Sequence, residues 1–212
     1  HGGTFDVPGF FAGDGAGAAS GASWHAHIAP DATGTWQYEV SFRSGTEVAV
    51  ALAESAGAAV PPFDGASGSF EIGESGKTGR DFRAPEHGLI TNRGGHYLTY
   101  ASGKRFIKAG PDIPENLLGY VGFDNTPNAG DAYTAHIDDW NPGDPDWNAG
   151  AGRGLIGAFN YIAERGANTV YFLPMNIGGD GNDTFPTIAP FEKTRYDLSK
   201  LAQWDTVFAH AQ

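Results

Sequence analysis

The sequence predicts two folds in series. These are an immunoglobulin-like antiparallel β-sandwich over residues 1–84 and β/α units over residues 85–212. Three observations predict this. The first is the alternation of Gly34-Thr35-Trp36-Gln37-Tyr38-Glu39-Val40-Ser41-Phe42-Arg43, which sends Trp36, Tyr38, Val40 and Phe42 to one face and Gln37, Glu39, Ser41 and Arg43 to the other. The second is the helical spacing of Leu155, Ile156, Phe159 and Ile162, closed by Gly166 where a C-cap glycine belongs. The third is Thr169-Val170-Tyr171-Phe172-Leu173-Pro174-Met175, a continuous apolar run that marks a strand buried on both faces.

Taken in order, residues 4–7, 24–28, 48–52 and 68–72 are shorter strand candidates around the secure one, separated by Gly/Ala/Ser/Asp stretches. Short strands at such intervals imply a sandwich. Residues 13–23, rich in Gly and Ala, read as a loop. The grammar changes after Lys77-Thr78-Gly79-Arg80-Asp81-Phe82-Arg83. His96-Tyr97-Leu98-Thr99-Tyr100 and Lys104-Arg105-Phe106-Ile107-Lys108-Ala109 then flank a tight Ala-Ser-Gly turn, and a Pro- and Asp-rich segment runs over residues 110–152. Leu201, Trp204, Val207, Phe208 and Ala211 recur at helical spacing near the end. Strand, helix, strand, helix is the grammar of a parallel sheet, either a small doubly wound sheet or the start of a barrel.

Composition narrows the function classes. Of 212 residues, 13 are Lys or Arg and 25 are Asp or Glu, a formal charge of −12. That balance argues against a partner held by phosphate neutralisation. The absence of cysteine removes disulfides, zinc-thiolate sites and thiol nucleophiles. No run approaches the roughly 20 apolar residues of a membrane span, and the first residues carry no charged n-region followed by an apolar h-region. Aromatics at 13% argue against disorder. There is no G-x-S-x-G, P-loop or H-E-x-x-H, so serine-hydrolase, nucleotide and zincin chemistry lack support.

Several stretches together resemble one family. They are Val7-Pro8-Gly9-Phe10-Phe11, Asp14-Gly15, Pro30-Asp31-x-x-Gly34-x-Trp36-x-Tyr38, and Phe70 with Gly79-Arg80-Asp81-Phe82-Arg83. In the second half they are Gly95-His96-Tyr97, Pro114-Glu115-Asn116, Asp139-Trp140-x-Pro142-Gly143-Asp144-Pro145-x-Trp147, Gly154-Leu155-Ile156-Gly157-Ala158 and Gly178-Gly179-Asp180-Gly181-Asn182-Asp183. The chain resembles secreted bacterial proteins in which a β-sandwich domain of unknown function precedes a glycoside-hydrolase-like (β/α)8 barrel. The resemblance implies a TIM-type barrel, incomplete here, and a secreted, extracellular or periplasmic location. It also implies sandwich strands upstream of the position of His1 and a barrel continuing past Gln212. A barrel needs about 250 residues, so the remaining units are expected on a longer or a second chain.

Three segments carry candidate chemistry. Residues 173–184 start at the C-terminal end of the apolar strand, where barrel enzymes keep their working side chains. Asn176, Asp180, Asn182 and Asp183 would bind sugar hydroxyls there, or calcium through oxygen, or else only close a turn. Asp112, Glu115 and Asn116 follow the first barrel strand and would share the same rim, unless Glu115 merely serves a helix N-terminus. Trp140 and Trp147 lie among acidic residues, as in a sugar platform, although a loop packing its own aromatics explains them as well. His25 and His27 share a strand face at a spacing some metal pairs use, with a surface pair as the plainer reading.

The expected function is that of the N-terminal portion of a polysaccharide-active protein. It would contribute carbohydrate binding and rim residues without a complete catalytic pair, because the two carboxylates of glycoside hydrolysis would sit on later strands. No catalytic residue is assigned and no cofactor is expected, with calcium as the alternative. A non-catalytic extracellular matrix protein assembling by strand addition, or a calcium-dependent carbohydrate-binding module, competes with this reading. The partner is carbohydrate, with neither nucleic acid nor membrane.

Overall fold

The computed structural model describes residues 3–53, 55–78, 81–127, 130–179 and 181–212. Asp180 therefore lies outside the described residues, as do Gly79 and Arg80. The chain divides into two compact units. One gathers His1–Phe5, Ile28–Leu89 and Tyr100–Ser102, and the other gathers Asp6–His27, Ile90–Thr99 and Gly103–Gln212.

The strands are β1 (Phe10–Phe11), β2 (Trp24–His25), β3 (Gly34–Glu39), β4 (Arg43–Ser44), β5 (Ala58–Ala59) and β6 (Ser67–Ile72), and the helices are α1 (Arg153–Glu164) and α2 (Leu198–Ala211). In the first unit β3 and β6 pair antiparallel from Gly34↔Ile72 to Glu39↔Ser67. Directly opposed residues share a face, so Trp36 meets Phe70 and Tyr38 meets Gly68. Phe5 adds a ring 5.6 Å from Trp36. The β4–β5 pair continues the same path, with Arg43 bonded to Asp64 at 3.3 Å and to the carbonyls of Ala56 and Gly57.

The sandwich is not formed. Among the described residues the sheets have two strands each, β1–β2, β3–β6 and β4–β5, and no second sheet covers the aromatic face of β3. Tyr38 stays half-exposed, and residues 48–50 make a 3-10 turn in place of a strand. A sandwich core arises only when two inner faces close on each other. Alternation licenses a strand but says nothing about what lies opposite its apolar face.

The second unit holds the buried apolar side chains among the described residues: Leu117, Leu118, Tyr120, Phe123, Leu155, Ile156, Phe185, Trp204 and Val207. Helix α1 forms where the period of Leu155, Ile156, Phe159 and Ile162 predicts it, with Gly166 in the left-handed region after its end. Its glycines permit a close crossing. A Cβ at Gly157 would stand 1.9 Å from the His136 carbonyl oxygen, in the 3-10 turn of residues 134–139. Helix α2 also forms as its spacing predicts, capped by Asp197, whose side chain accepts from the Lys200 N–H.

The barrel is not formed either. Among the described residues the β/α grammar is realised as one parallel neighbour pair with α1 in the crossover. Ile113 donates to Tyr171 O at 2.9 Å, Tyr171 to Pro111 O at 3.2 Å and Leu173 to Pro114 O at 2.8 Å, yet only Asp112↔Tyr171 makes a bridge. The apolar run is covered on one side alone. Phe172 stacks on Phe208 of α2 at 5.3 Å, whereas Tyr171 is 48% exposed. A run buried on both faces needs helices on one side and barrel interior on the other, and the second is missing. Instead of paired strands, the segments at 96–100 and 104–109 show the bridge Thr99↔Arg105, a bond from the Phe106 N–H to Leu98 O and the Arg105 guanidinium 4.9 Å over the Tyr97 ring, with a further bridge at Thr91↔Thr99. Among the described residues no helix is long and apolar enough to cross a membrane.

Candidate functional site

The parallel pair delivers two segments to the same end: Pro114-Glu115-Asn116 and the loop that opens at Met175. A buried amide joins them. Asn176 Nδ2 donates to Asp183 Oδ1 at 2.7 Å and to the Glu115 carbonyl at 3.3 Å, while its Oδ1 accepts from the Thr184 N–H at 2.9 Å. Thr184 Oγ1 also donates to the Glu115 carbonyl, at 3.0 Å, and the Asn176 N–H donates to Thr184 O. Asp183 is 2% exposed and Thr184 fully buried. A carboxylate so placed costs free energy unless its lone pairs are satisfied. The Asn176 amide supplies that partner and closes the loop on itself.

Above this floor stand the groups that reach solvent. Glu115 is half-buried, and its Oε1 lies 4.0 Å from where a Cβ at Gly179 would sit. Exposed Asn116 donates to both carboxylate oxygens of Asp131 at 3.1 Å. Asp131 in turn joins burial in pushing the Tyr133 hydroxyl up to about 12, with burial the larger cause. Asn182 is exposed, but its Oδ1 accepts from the Gly178 N–H at 2.6 Å. Asp112 is exposed and paired with Lys108 one helical-type step away.

The two tryptophans are engaged elsewhere. Trp147 stacks on Phe123 with centroids 5.4 Å apart and planes 6° from parallel, and its Nε1 donates to Gly122 O at 2.7 Å. Trp140 donates to Pro145 O at 3.1 Å and carries the Arg153 guanidinium 4.4 Å above its ring. Arg153 also pairs with Asp146 at 3.1 Å, and Asp146 accepts from the Trp147 and Gly152 N–H groups. Asp144 accepts from the Asn141 N–H and from Asn160, which hold its carboxyl below the usual range.

Structure therefore brings Glu115, Asn176 and Asp183 together, places Asn116 and Asn182 nearby on their own segments, and sets Asp112, Trp140 and Trp147 in other contacts. Asp131 and Thr184 belong to the cluster without having been singled out. Among the described residues no group of three or more His, Cys, Asp and Glu is arranged to hold a metal ion. A different polar centre lies under α2. Lys200 is 0% exposed, with its ammonium donating to Asn125 O at 2.8 Å and Phe185 O at 3.1 Å, 3.8 Å from the centre of the Phe185 ring. One signal for it stood in the sequence: Lys200 is four residues before Trp204 and seven before Val207, on the apolar face.

Residues 1–43 match a family model described as a domain of unknown function, DUF5060. No curated protein and no solved structure matches the chain.

Proposed function

We propose that this chain is part of a secreted, polysaccharide-active protein akin to the glycoside hydrolases, to which it contributes carbohydrate binding without a complete catalytic pair. The observation that carries the reading is the rim of Glu115, Asn116 and Asp131 above the buried Asn176–Asp183–Thr184 floor. Sugar hydroxyls each donate and accept, so they suit a surface where the Asn116 amide stands on the Asp131 carboxylate and the neighbouring Glu115 carboxylate lies by Gly179. A floor whose own hydrogen bonds are already made keeps those groups in place before the ligand arrives. The match of residues 1–43 to DUF5060 supports the family resemblance, in which such a domain accompanies glycoside-hydrolase-like chains. The negative charge of −12 favours neutral glycans over acidic ones by simple repulsion.

The test is electrophoresis through gels containing neutral polysaccharides, comparing the wild type with Asn116→Ala and Asp131→Ala. Retardation by at least one neutral glycan, weakened roughly three- to tenfold in both variants, is expected. Equal retardation of the variants and the wild type sinks the rim assignment. Release of new reducing ends from the retained glycan would show that a catalytic pair is present after all.

A further inference from the structure

The geometry points to a second carbohydrate site, on the β1–β2 ladder, that takes an uncharged pyranose. Phe10 and His25 are directly opposed in the register and so share a face. His27 joins them from two residues further on. The Phe10 centroid lies 5.9 Å from that of His25 and 5.1 Å from that of His27, each nearly edge-on, while the imidazoles are 6.2 Å apart and tilted by 34°. Three rings form an open triangle, and it is not sealed. Phe10 is 43% exposed and both histidines are exposed.

Beside the triangle stand two hydrogen-bonding groups. A Cβ at Gly15 would stand 3.4 Å from His25 Nε2 and 3.6 Å from Ser23 Oγ. Gly15 has φ +84°, where a side chain is strained, so glycine leaves those two atoms without a side chain packed on them from this position. An imidazole nitrogen and a hydroxyl thus stand close together beside the exposed Phe10 ring.

These groups select the ligand by chemistry. An exposed phenyl ring attracts the C–H face of a pyranose, and imidazole and serine hydroxyl groups hydrogen-bond, as sugar hydroxyls do. A phosphate or carboxylate would require fixed donors and a positive surround. Asp14 directly precedes Gly15, so an anion is disfavoured. The site is independent of the Glu115–Asn116–Asp131 rim: it uses none of the same residues, and either stands if the other fails.

Wild-type protein labelled for histidine and asparagine side chains is titrated with neutral β-linked glucan, mannan and xylan oligosaccharides, with an oligouronate as the charged probe. Binding by at least one neutral probe, shifting the His25 and His27 imidazole resonances, is expected, with the oligouronate weaker. Phe10→Ala is expected to weaken that response roughly three- to tenfold, and Ser23→Ala less. Ser23→Ala serves as the reporter should Phe10→Ala disturb the ladder. Neutral probes that shift only the Asn116 amide overturn this site while leaving the rim in place. Shifts at His25 and His27 alone do the reverse. Silence at both imidazoles with every neutral probe, or a stronger response to the oligouronate, overturns the inference.

Discussion

Trp36, Tyr38 and Phe70 share one face of the β3–β6 ladder and remain half-buried or exposed, whereas Leu155, Ile156, Trp204 and Val207 on α1 and α2 are sealed. Both regions follow their period faithfully. What separates them is the second layer. Helix α1 packs against the 3-10 turn at 134–139 and against α2, so its apolar stripe is covered from two directions. The ladder has Phe5 and little else over its aromatic face among the described residues. An amphipathic element records the face it needs to bury, and stability is gained only where another element arrives to bury it.

The sharpest way to break this comparison is in the helical core. Trp204→Ala should cost about 3–5 kcal/mol, measured by urea unfolding. Trp204→Phe should cost much less, since it also deletes an indole N–H that has no partner among the described residues. Equal costs for the two would mean that the core around α2 is not tightly packed.

Next is proton linkage at Lys200. Burial lowers its pKa from 10.5 to about 8, against the opposing pull of Asp197 and Asp124. Between those values an unfolded lysine holds a proton that the folded one has released. The unfolded state therefore binds more protons there, and stability rises with pH through that window by at most about 3 kcal/mol. Below about 8 this contribution is flat. Urea unfolding across the window should show the rise in the wild type and its absence in Lys200→Met. A stability that falls in the wild type relative to Lys200→Met would contradict the burial.

A smaller effect is expected at the loop floor. Asn176→Ala strands the Asp183 carboxylate and the Thr184 N–H in buried positions, at about 1–3 kcal/mol. Hydrogen exchange should quicken at Thr184 while α1 stays protected. The smallest belongs to the ladder: Tyr38→Ala should change stability by no more than about 1 kcal/mol, the scale of a cross-strand pair. A loss as large as that of Trp204→Ala would mean that the β3 face is covered, and the contrast between the two regions would disappear.

Legibility in the sequence followed the range of the interactions. α1 and α2 could be placed to within a residue or two because their periods and Gly166 are local. The strand character of residues 34–39 was visible for the same reason. At the site, the loop's position at the end of the apolar run was readable, and so was the kinship of Glu115 with it. The inward turn of Asp183 was not readable. It depends on Asn176 and on a carbonyl 68 residues away, at Glu115. Nor could sequence alone tell that Trp140 and Trp147 are occupied by Arg153 and Phe123, since each contact links segments separated by a loop.

By itself the sequence determined the acidic balance, the absence of thiol chemistry, the two helices and the alternation of β3. Tertiary structure decided how far those elements close. Among the described residues it made two-stranded ladders where a sandwich was expected and a single parallel neighbour pair where a barrel was expected. It also sent Asp183 inward and left Asn116 at the surface. Local patterns specify which face of an element is apolar. Which faces meet, and which polar groups must then be satisfied in the interior, depends on distant segments whose approach no local pattern encodes.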